Sequence, residues 1–266
     1  MRIMTSNIWG DYFGNPVNVR EDLLFGIFKK YSPDVLGMQE YNKGWYNGNM
    51  LEWLSVDYAS VGTELYNCDN TVGEDVFEKT NYVPLCYKKE LGVLAYGYEF
   101  LTDTPDKSKA ITWAVLNQNG KVFAVCNTHF WWKTGPEHDL IRNKNAHQLA
   151  ELMKYLHKKH NCPVFAFGDM NTTISSEVFK IYAQNGIKHL NDLAEIKCEV
   201  SSHHGDPVVT ESGRYKGSKT TNDKNYSIDH IVVLGDNVKV REYRVIEDSD
   251  ALDATDHSPV YADVDF

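Results

Sequence analysis

Hydrophobic positions along the chain form two patterns, short apolar runs of strand length and longer segments with helical spacing. Most of the apolar runs end in polar residues, which is typical of strands that lead into functional loops. The runs predict strands at residues 3–8, 35–39, 82–87, 111–116, 122–127, 164–167, 228–234 and 260–264.

Helical spacing predicts helices near residues 19–31 and 140–159 and a third that starts after Ser175 or Ser176 and stops before Gly186. Asn119-Gly120 predicts a hairpin turn between two of the strands. The polar segment 198–225 predicts a long surface loop or hairpin. Hairpins combined with a few long helices indicate a two-sheet core flanked by helices, and they disfavour strict βαβ repetition.

Composition narrows the classes of protein that fit. The chain has 266 residues and no linker or repeat, which suits one large domain, and we expect a single domain over residues 1–266. Its net charge of −10 lacks the basic field that favours long nucleic-acid footprints, although a local patch or a cation can compensate in a nuclease.

Cellular location is read from cysteines, apolar runs and the amino terminus. Five scattered cysteines without a CxxC pair disfavour a disulfide framework or a zinc knuckle, so we expect a reduced, cytoplasmic setting. No apolar run reaches the length of a transmembrane helix. No signal peptide is recognisable, although a processed secreted form would look the same.

Polar side chains stand at or near the ends of several predicted strands. Taken singly, a Glu after a strand is usually solvated, an Asp-x-Asn forms an Asx turn, and a lone His is structural. Taken together, strand ends on one edge of a sheet converge on one pocket, and such a pocket suits a hard divalent cation such as Mg²⁺. The residues are Asn7, Glu40, His129, Asp169, Asn171, Asp229 and His257.

Seven short blocks carry a resemblance to a known family. They are Thr5-Ser6-Asn7, Gly37-Met38-Gln39-Glu40, Val83-Pro84-Leu85-Cys86-Tyr87, Asn127-Thr128-His129-Phe130, Gly168-Asp169-Met170-Asn171, Ser227-Ile228-Asp229-His230-Ile231 and Asp256-His257. In type, order and spacing these blocks resemble the endonuclease/exonuclease/phosphatase superfamily. The resemblance implies a four-layered α/β sandwich, in which two packed, mostly antiparallel sheets are flanked by helices.

The resemblance also implies roles around a metal ion. Glu40, with Asn7, would form the site for Mg²⁺ or Mn²⁺, and Asp256 would be a further carboxylate at or near the metal. Asp169 would orient or deprotonate the attacking water.

The remaining implied roles concern the phosphate. Asn171 would position it, His257 would contact it while held by Asp229, and His129 would be the second catalytic histidine near the leaving oxygen. These roles agree with phosphoryl transfer, which needs an in-line nucleophile and neutralised charge.

Some positions depart from the family pattern. A Glu that commonly partners the second His is replaced by Asn81, and Glu78 is out of register. An Arg common before the segment at Thr112 is missing, with Lys109 nearby. We expect specificity to reside in Phe130-Trp131-Trp132 and in the 198–225 loop. His203-His204-Gly205-Asp206 is either a metal site or, as we favour, a solvated loop.

The sequence leaves three functions open. The first is a Mg-dependent hydrolase that cleaves a phosphate mono- or diester on a non-polymeric substrate, acting as a monomer. The second is a sequence-nonspecific nuclease, which the acidic charge disfavours. The third is a binding module that lost activity, which the complete set of motif residues disfavours.

Overall fold

The computed structural model describes residues 1–11, 15–62, 82–105, 108–220 and 222–266. Positions Glu78 and Asn81 lie outside this part of the chain. The strands are β1 Arg2–Asn7, β2 Val35–Gln39, β3 Tyr58–Val61, β4 Leu85–Lys88, β5 Gly92–Phe100, β6 Ala110–Gln118, β7 Lys121–His129, β8 Val164–Asp169, β9 Ile187–His189, β10 Ala194–Ile196, β11 Val208–Val209, β12 Tyr215–Lys216, β13 Asp229–Leu234, β14 Lys239–Val245 and β15 Val260–Asp265.

Most of the helices lie on the outer faces of the sheets. In the described part of the chain, none is both long and apolar enough to cross a membrane. They are α1 Glu21–Tyr31, α2 Lys43–Tyr46, α3 Met50–Leu54, α4 Pro136–His160, α5 Glu177–Gln184, α6 Leu190–Leu193 and α7 Ser249–Ala254, with a 3₁₀ helix at Lys224–Tyr226.

Two large sheets form the centre of the molecule. The seven-stranded sheet has the order β10-β14-β15-β1-β2-β4-β3, and the six-stranded sheet has the order β5-β6-β7-β8-β13-β9. Most neighbours are antiparallel, while β1–β2, β10–β14 and β7–β8 are parallel. The 198–225 segment contains the short hairpin β11–β12.

Three hydrophobic clusters hold the layers together. The first fills the space between the two sheets and includes Ile3 and Phe167. The second packs α4 and α5 on the six-stranded sheet, and the third packs α1, α2, α3 and α7 on the seven-stranded sheet. This arrangement confirms the four-layered α/β sandwich that the sequence predicts.

The two sheets are in direct contact near the ends of β2 and β7. A side chain at Gly37 would overlap Phe167 and Asn127, so only glycine fits there. The space is occupied by the amide of Asn127, whose Nδ2 donates to the carbonyl oxygens of Met38 and Pro84, each at 2.8 Å. Gln39 Nε2 in turn donates to Asn127 Oδ1 at 2.6 Å. These buried amides connect the two sheets directly below the strand ends.

A histidine pair supports one of these strand ends from the side. His230 Nε2 lies 2.8 Å from the carbonyl oxygen of Thr172, and its Nδ1 lies 3.1 Å from Nε2 of the partly buried His189. Burial lowers the pKa of both rings below the ordinary value, and the neighbouring His230 lowers that of His189 further. The neutral rings therefore form a chain in which His189 donates to His230 and His230 donates to Thr172.

This pair predicts a component of acid sensitivity. A histidine whose pKa is lowered by folding contributes stability above the unfolded pKa of about 6.5, and the contribution is lost as pH falls below that value. His189→Gln keeps a donor for His230 but does not titrate. Relative to wild type, we expect the free energy of unfolding of His189→Gln to fall less between pH 6.5 and 5, by about 1.4 kcal/mol per pH unit at most. Urea unfolding at several pH values measures this.

The exposed His147→Gln variant is the matched control and should keep the wild-type pH dependence. Parallel pH profiles for wild type and His189→Gln would contradict a neutral pair.

Candidate active site

A row of three polar side chains crosses the end of the six-stranded sheet. Asp169 at the end of β8 is in register with His129 on the parallel strand β7 and with Asp229 on the antiparallel strand β13. Residues in register on neighbouring strands project to the same face, so the three side chains share one edge of the pocket. His129 Nε2 lies 3.4 Å from Asp169 Oδ2.

The seven-stranded sheet contributes Asn7 and Glu40 to the same pocket. Asn7 ends β1 and Glu40 follows β2, and these strands are parallel, so their carboxyl ends lie side by side. Asn7 Nδ2 donates to Glu40 Oε1 at 3.2 Å and, across the two sheets, to Asp169 Oδ2 at 3.0 Å. Asn7 thus faces both carboxylates with its amide nitrogen, while its oxygen accepts from the backbone N–H of Trp9.

Two of the non-glycine residues with positive φ lie at this pocket. Glu40 has φ 62° and Asn171 has φ 49°. Each lies just after its strand, where a left-handed residue turns the chain away while the side chain stays at the strand end. Such conformations cost about 1 kcal/mol or more and are maintained where surrounding contacts hold them.

His257 is oriented by a carboxylate that is itself fixed. Its Nδ1 donates to Asp229 Oδ2 at 2.8 Å. Buried Ser202 donates from Oγ to the same Asp229 oxygen at 2.7 Å and accepts from the backbone N–H of Asp229 at 3.1 Å. Because Nδ1 is engaged, Nε2 is the ring nitrogen that faces the pocket, 3.9 Å from Asp169 Oδ2 and 3.9 Å from Asp256 Oδ2.

The charged groups in the pocket shift one another's pKa. Burial opposes ionisation of Asp169, but His129, His257 and the backbone N–H of Asn171 together lower its pKa well below the ordinary range. Burial also opposes the charged form of His257, but Asp229, Asp256 and Asp169 raise its pKa well above the ordinary value. At neutral pH the pocket therefore holds an ionised Asp169 beside a cationic His257.

Two further carboxyl groups, those of Glu40 and Asp256, lie near each other in the pocket. Burial, followed by the charges of Glu40 and Asp206, raises the pKa of Asp256 to about 7, while His257 opposes the rise. For Glu40, burial opposes ionisation, but His129, Lys109 and the N–H of Gly10 lower the pKa. Two adjacent acidic groups with oxygen donors fit a hard divalent cation, which would relieve their repulsion.

Contacts therefore connect all eight residues that the sequence singles out. Asn171 joins them through its backbone N–H, which donates to Asp169 Oδ1 at 2.8 Å, and its side chain donates to the carbonyl oxygen of Phe130 at 3.1 Å. The connected set is Asn7, Glu40, His129, Asp169, Asn171, Asp229, Asp256 and His257.

Lys109 is a site residue that the motifs do not identify. Its buried ammonium lies 2.9 Å from Nε2 and 3.1 Å from Nδ1 of His129. It stands just before β6, and this lone cation near Thr112 was the only signal in the sequence. Lys109 supplies positive charge next to His129.

The aromatic run after His129 divides between core and surface. Phe130 and Trp131 are buried, and Trp131 Nε1 donates to Nδ1 of His138 at 3.0 Å, so Trp131 is a packing residue of the rim. Trp132 is 57% exposed. Arg142 anchors the loop by donating to the carbonyl oxygen of Trp131 at 2.9 Å. Of this run, only Trp132 has an exposed ring.

Comparisons with known proteins agree with this architecture. The sequence is 26% identical over 281 aligned positions to exodeoxyribonuclease III of Haemophilus influenzae, covering 94% of this chain and 96% of that protein. An endonuclease/exonuclease/phosphatase family protein from Bacteroides thetaiotaomicron has a TM-score of 0.75 at 17% identity, covering 99% of this chain and 97% of that chain. The mannosyl-6-phosphatase of the same species has a TM-score of 0.72 at 18% identity, covering 100% of both chains.

The two solved structures show that the fold is shared. The similarity to exodeoxyribonuclease III is one of sequence. The family pattern itself matches residues 4–257, from the first strand to the histidine held by Asp229. The chain belongs to the Endonuclease/Exonuclease/phosphatase family.

Proposed function

We propose that this protein is a divalent-cation-dependent phosphoesterase that hydrolyses a phosphate mono- or diester by in-line attack of water on a non-polymeric substrate. The observation that carries the proposal is the pairing of an ionised Asp169 with a cationic His257 in one buried pocket. Members of the family act on phosphoester bonds, so the reaction class follows from membership.

Asp169 serves the attacking water. With its pKa held far below neutrality, Asp169 is a weak base, so its main contribution is to accept a hydrogen bond and align the water for attack. Asn7 and the backbone N–H of Asn171 hold the carboxylate in place. Orientation of this kind lowers the barrier because the reactants are already aligned.

His257, His129 and Lys109 serve the phosphate. Asp229 fixes the imidazole of His257, so that Nε2–H points into the pocket to donate to a phosphate oxygen. Lys109 places further positive charge beside His129, where the leaving oxygen would develop negative charge. Asn171, on the same side of the pocket, would help to position the phosphate.

Glu40 and Asp256 are the carboxylates that would hold Mg²⁺ or Mn²⁺, with Asn7 setting the position of Glu40. The bound cation would supply Lewis-acid stabilisation of charge on the phosphoryl oxygens. Glu40 is held independently by the backbone N–H of Gly10, which donates to Oε2 at 2.9 Å.

Two observations favour a small substrate. The net charge of −10 repels a polyanion at long range but penalises a small phosphoester less. The solved mannosyl-6-phosphatase has the same fold. A sequence-nonspecific nuclease is the second candidate, favoured by the similarity to exodeoxyribonuclease III over nearly the whole chain.

The first test concerns the cation. Glu40→Gln removes a charged oxygen donor, and we expect turnover with Mg²⁺ to fall roughly 10²-fold or more, the scale of losing one strong transition-state interaction. Release of p-nitrophenol from bis-p-nitrophenyl phosphate, with a panel of sugar phosphates, inositol phosphates, sphingomyelin, RNA and plasmid DNA, measures this.

The exposed Glu90→Gln variant is the matched control and should retain wild-type turnover. Full activity in excess EDTA, or unchanged turnover of Glu40→Gln, would contradict cation dependence at this site.

The second test concerns substrate choice. The Cα of Trp132 lies within about 11 Å of the Cα of His129, because three residue-to-residue steps join them and each spans at most about 3.6 Å. Trp132→Ala should raise KM for ring-bearing small phosphoesters roughly 3- to 10-fold, the value of one aromatic contact, with kcat largely retained. Wild type should cleave small phosphoesters with higher kcat/KM than supercoiled plasmid at matched ionic strength.

Tyr155→Ala is a suitable control, because Tyr155 is likewise an exposed aromatic residue, with 53% of its surface accessible. The ammonium of Lys159 lies 5.1 Å from its ring centroid. Tyr155 lies about 28 Å along α4 from the helix start, far from the pocket. Rapid plasmid nicking by wild type would instead support the nuclease.

A further inference from the structure

The loop that carries His203 is paired with the segment that carries His257. The backbone N–H of Ser258 donates to the carbonyl oxygen of Ser202 at 2.7 Å, and that of His204 donates to the carbonyl oxygen of Asp256 at 3.0 Å. His203 and His257 are opposite each other in this bridge, and their ring centroids are 4.7 Å apart. The backbone thus holds an exposed imidazole against a buried one.

Together with Asp256, these two histidines present a compact set of ligand atoms. One donor atom from each of His203, Asp256 and His257 lies within 4.8 Å of the others. His257 uses Nδ1 to donate to Asp229, so Nε2 is the nitrogen available to a metal, which would displace the Nε2 proton to solvent on binding. A histidine whose other nitrogen donates to a carboxylate is the arrangement usual for metal-bound histidines.

We propose that His203, Asp256 and His257 form a binding site for a transition-metal dication such as Zn²⁺, separate in ligand chemistry from the oxygen-rich Mg²⁺ site. Two imidazoles and one carboxylate are a zinc-type set with three protein ligands and an open position. Mg²⁺ prefers oxygen and would not select the imidazoles.

Only a small rearrangement is needed to close the site. Donor atoms around tetrahedral zinc are roughly 3.3–3.6 Å apart, as follows from bond lengths of about 2.0–2.2 Å. The exposed side chain of His203 can rotate to shorten the present separations and also provides an entry path for the ion. The free cysteines in the described part of the chain, Cys86, Cys126, Cys162 and Cys198, are buried and offer no competing accessible thiolate.

Occupancy would have a functional consequence. Zinc at this site withdraws His257 from the phosphate and Asp256 from the Mg²⁺ site, so it inhibits hydrolysis even at saturating Mg²⁺. This consequence, unlike the binding itself, rests on the proposed phosphoesterase function.

Direct metal titration tests the site without reference to activity. The purified full-length chain in millimolar Mg²⁺ is titrated with Zn²⁺ by calorimetry, and with Co²⁺ while the visible absorption of the bound ion is recorded. We expect one equivalent to bind to wild type with the intense bands of four-coordinate Co²⁺. His203→Ala should weaken Zn²⁺ binding at least roughly 10-fold, since even loss of an outer-sphere partner costs 10- to 100-fold. The exposed His147→Ala variant should bind as wild type does.

Equal binding by wild type and His203→Ala, or absence of a one-equivalent site in wild type, overturns the proposal. The same variant is also assayed for phosphoester hydrolysis. With Mg²⁺ alone, His203→Ala should hydrolyse the best substrate of the panel at the wild-type rate, and added Zn²⁺ should inhibit it less than it inhibits wild type. A chain that binds zinc through His203 but cleaves no phosphoester would refute the proposed function and leave the metal site standing.

Discussion

The close contact between the two sheets at the ends of β2 and β7 is the constraint on which the site depends. Because Gly37 has no side chain, the side chain of Asn127 can occupy the space beside it. The Asn127 amide then donates to the carbonyl oxygens of Met38 and Pro84 on the opposite sheet. A buried amide left without partners would cost roughly 1–3 kcal/mol, so this network defines one relative position of the sheets. That position brings Asn7 within 3.0 Å of Asp169.

Above this contact, the pocket depends on balanced charges. Glu40, Asp169, Asp229 and Asp256 would repel one another if they stood alone, and burial would increase the cost. His257, His129 and Lys109 offset that repulsion among the described residues, and Asp256 remains the carboxyl whose pKa is raised. A divalent cation beside Glu40 and Asp256 would complete the balance. The same crowding supports the inference that a second kind of cation can bind where imidazole nitrogens replace oxygen.

Much of the fold and of the candidate site could be predicted from local signals. The Asn119-Gly120 turn has positive φ at both residues, as a two-residue hairpin requires. The polar residues at strand ends were identifiable because each stands next to an apolar run, either after it, as Asp169 does, or before it, as Asp229 does. Strands β5 and β14 were missed because β5 is largely exposed and β14 alternates with charged residues.

Residues whose roles depend on distant pairing could not be predicted. Lys109 reaches His129 only because β6 and β7 are neighbours, and Ser202 reaches Asp229 only because the 198–225 loop returns to the pocket. His203 faces His257 for the same reason, so the expectation of a solvated loop missed its position against the pocket. Trp131 is buried against α4, where it forms hydrogen bonds with His138 and Arg142. No local sequence pattern indicates that contact.

The proposed reaction depends above all on Asp229, which would hold His257 in the orientation that lets it contact the phosphate. The most direct measurement is kcat of Asp229→Asn with Mg²⁺ on the best substrate of the panel, alongside Asp236→Asn, whose side chain is 92% exposed. We expect kcat of Asp229→Asn to fall roughly 10²-fold or more with the fold intact, because the amide no longer selects the cationic, oriented ring. A kcat equal to that of Asp236→Asn and wild type would contradict it.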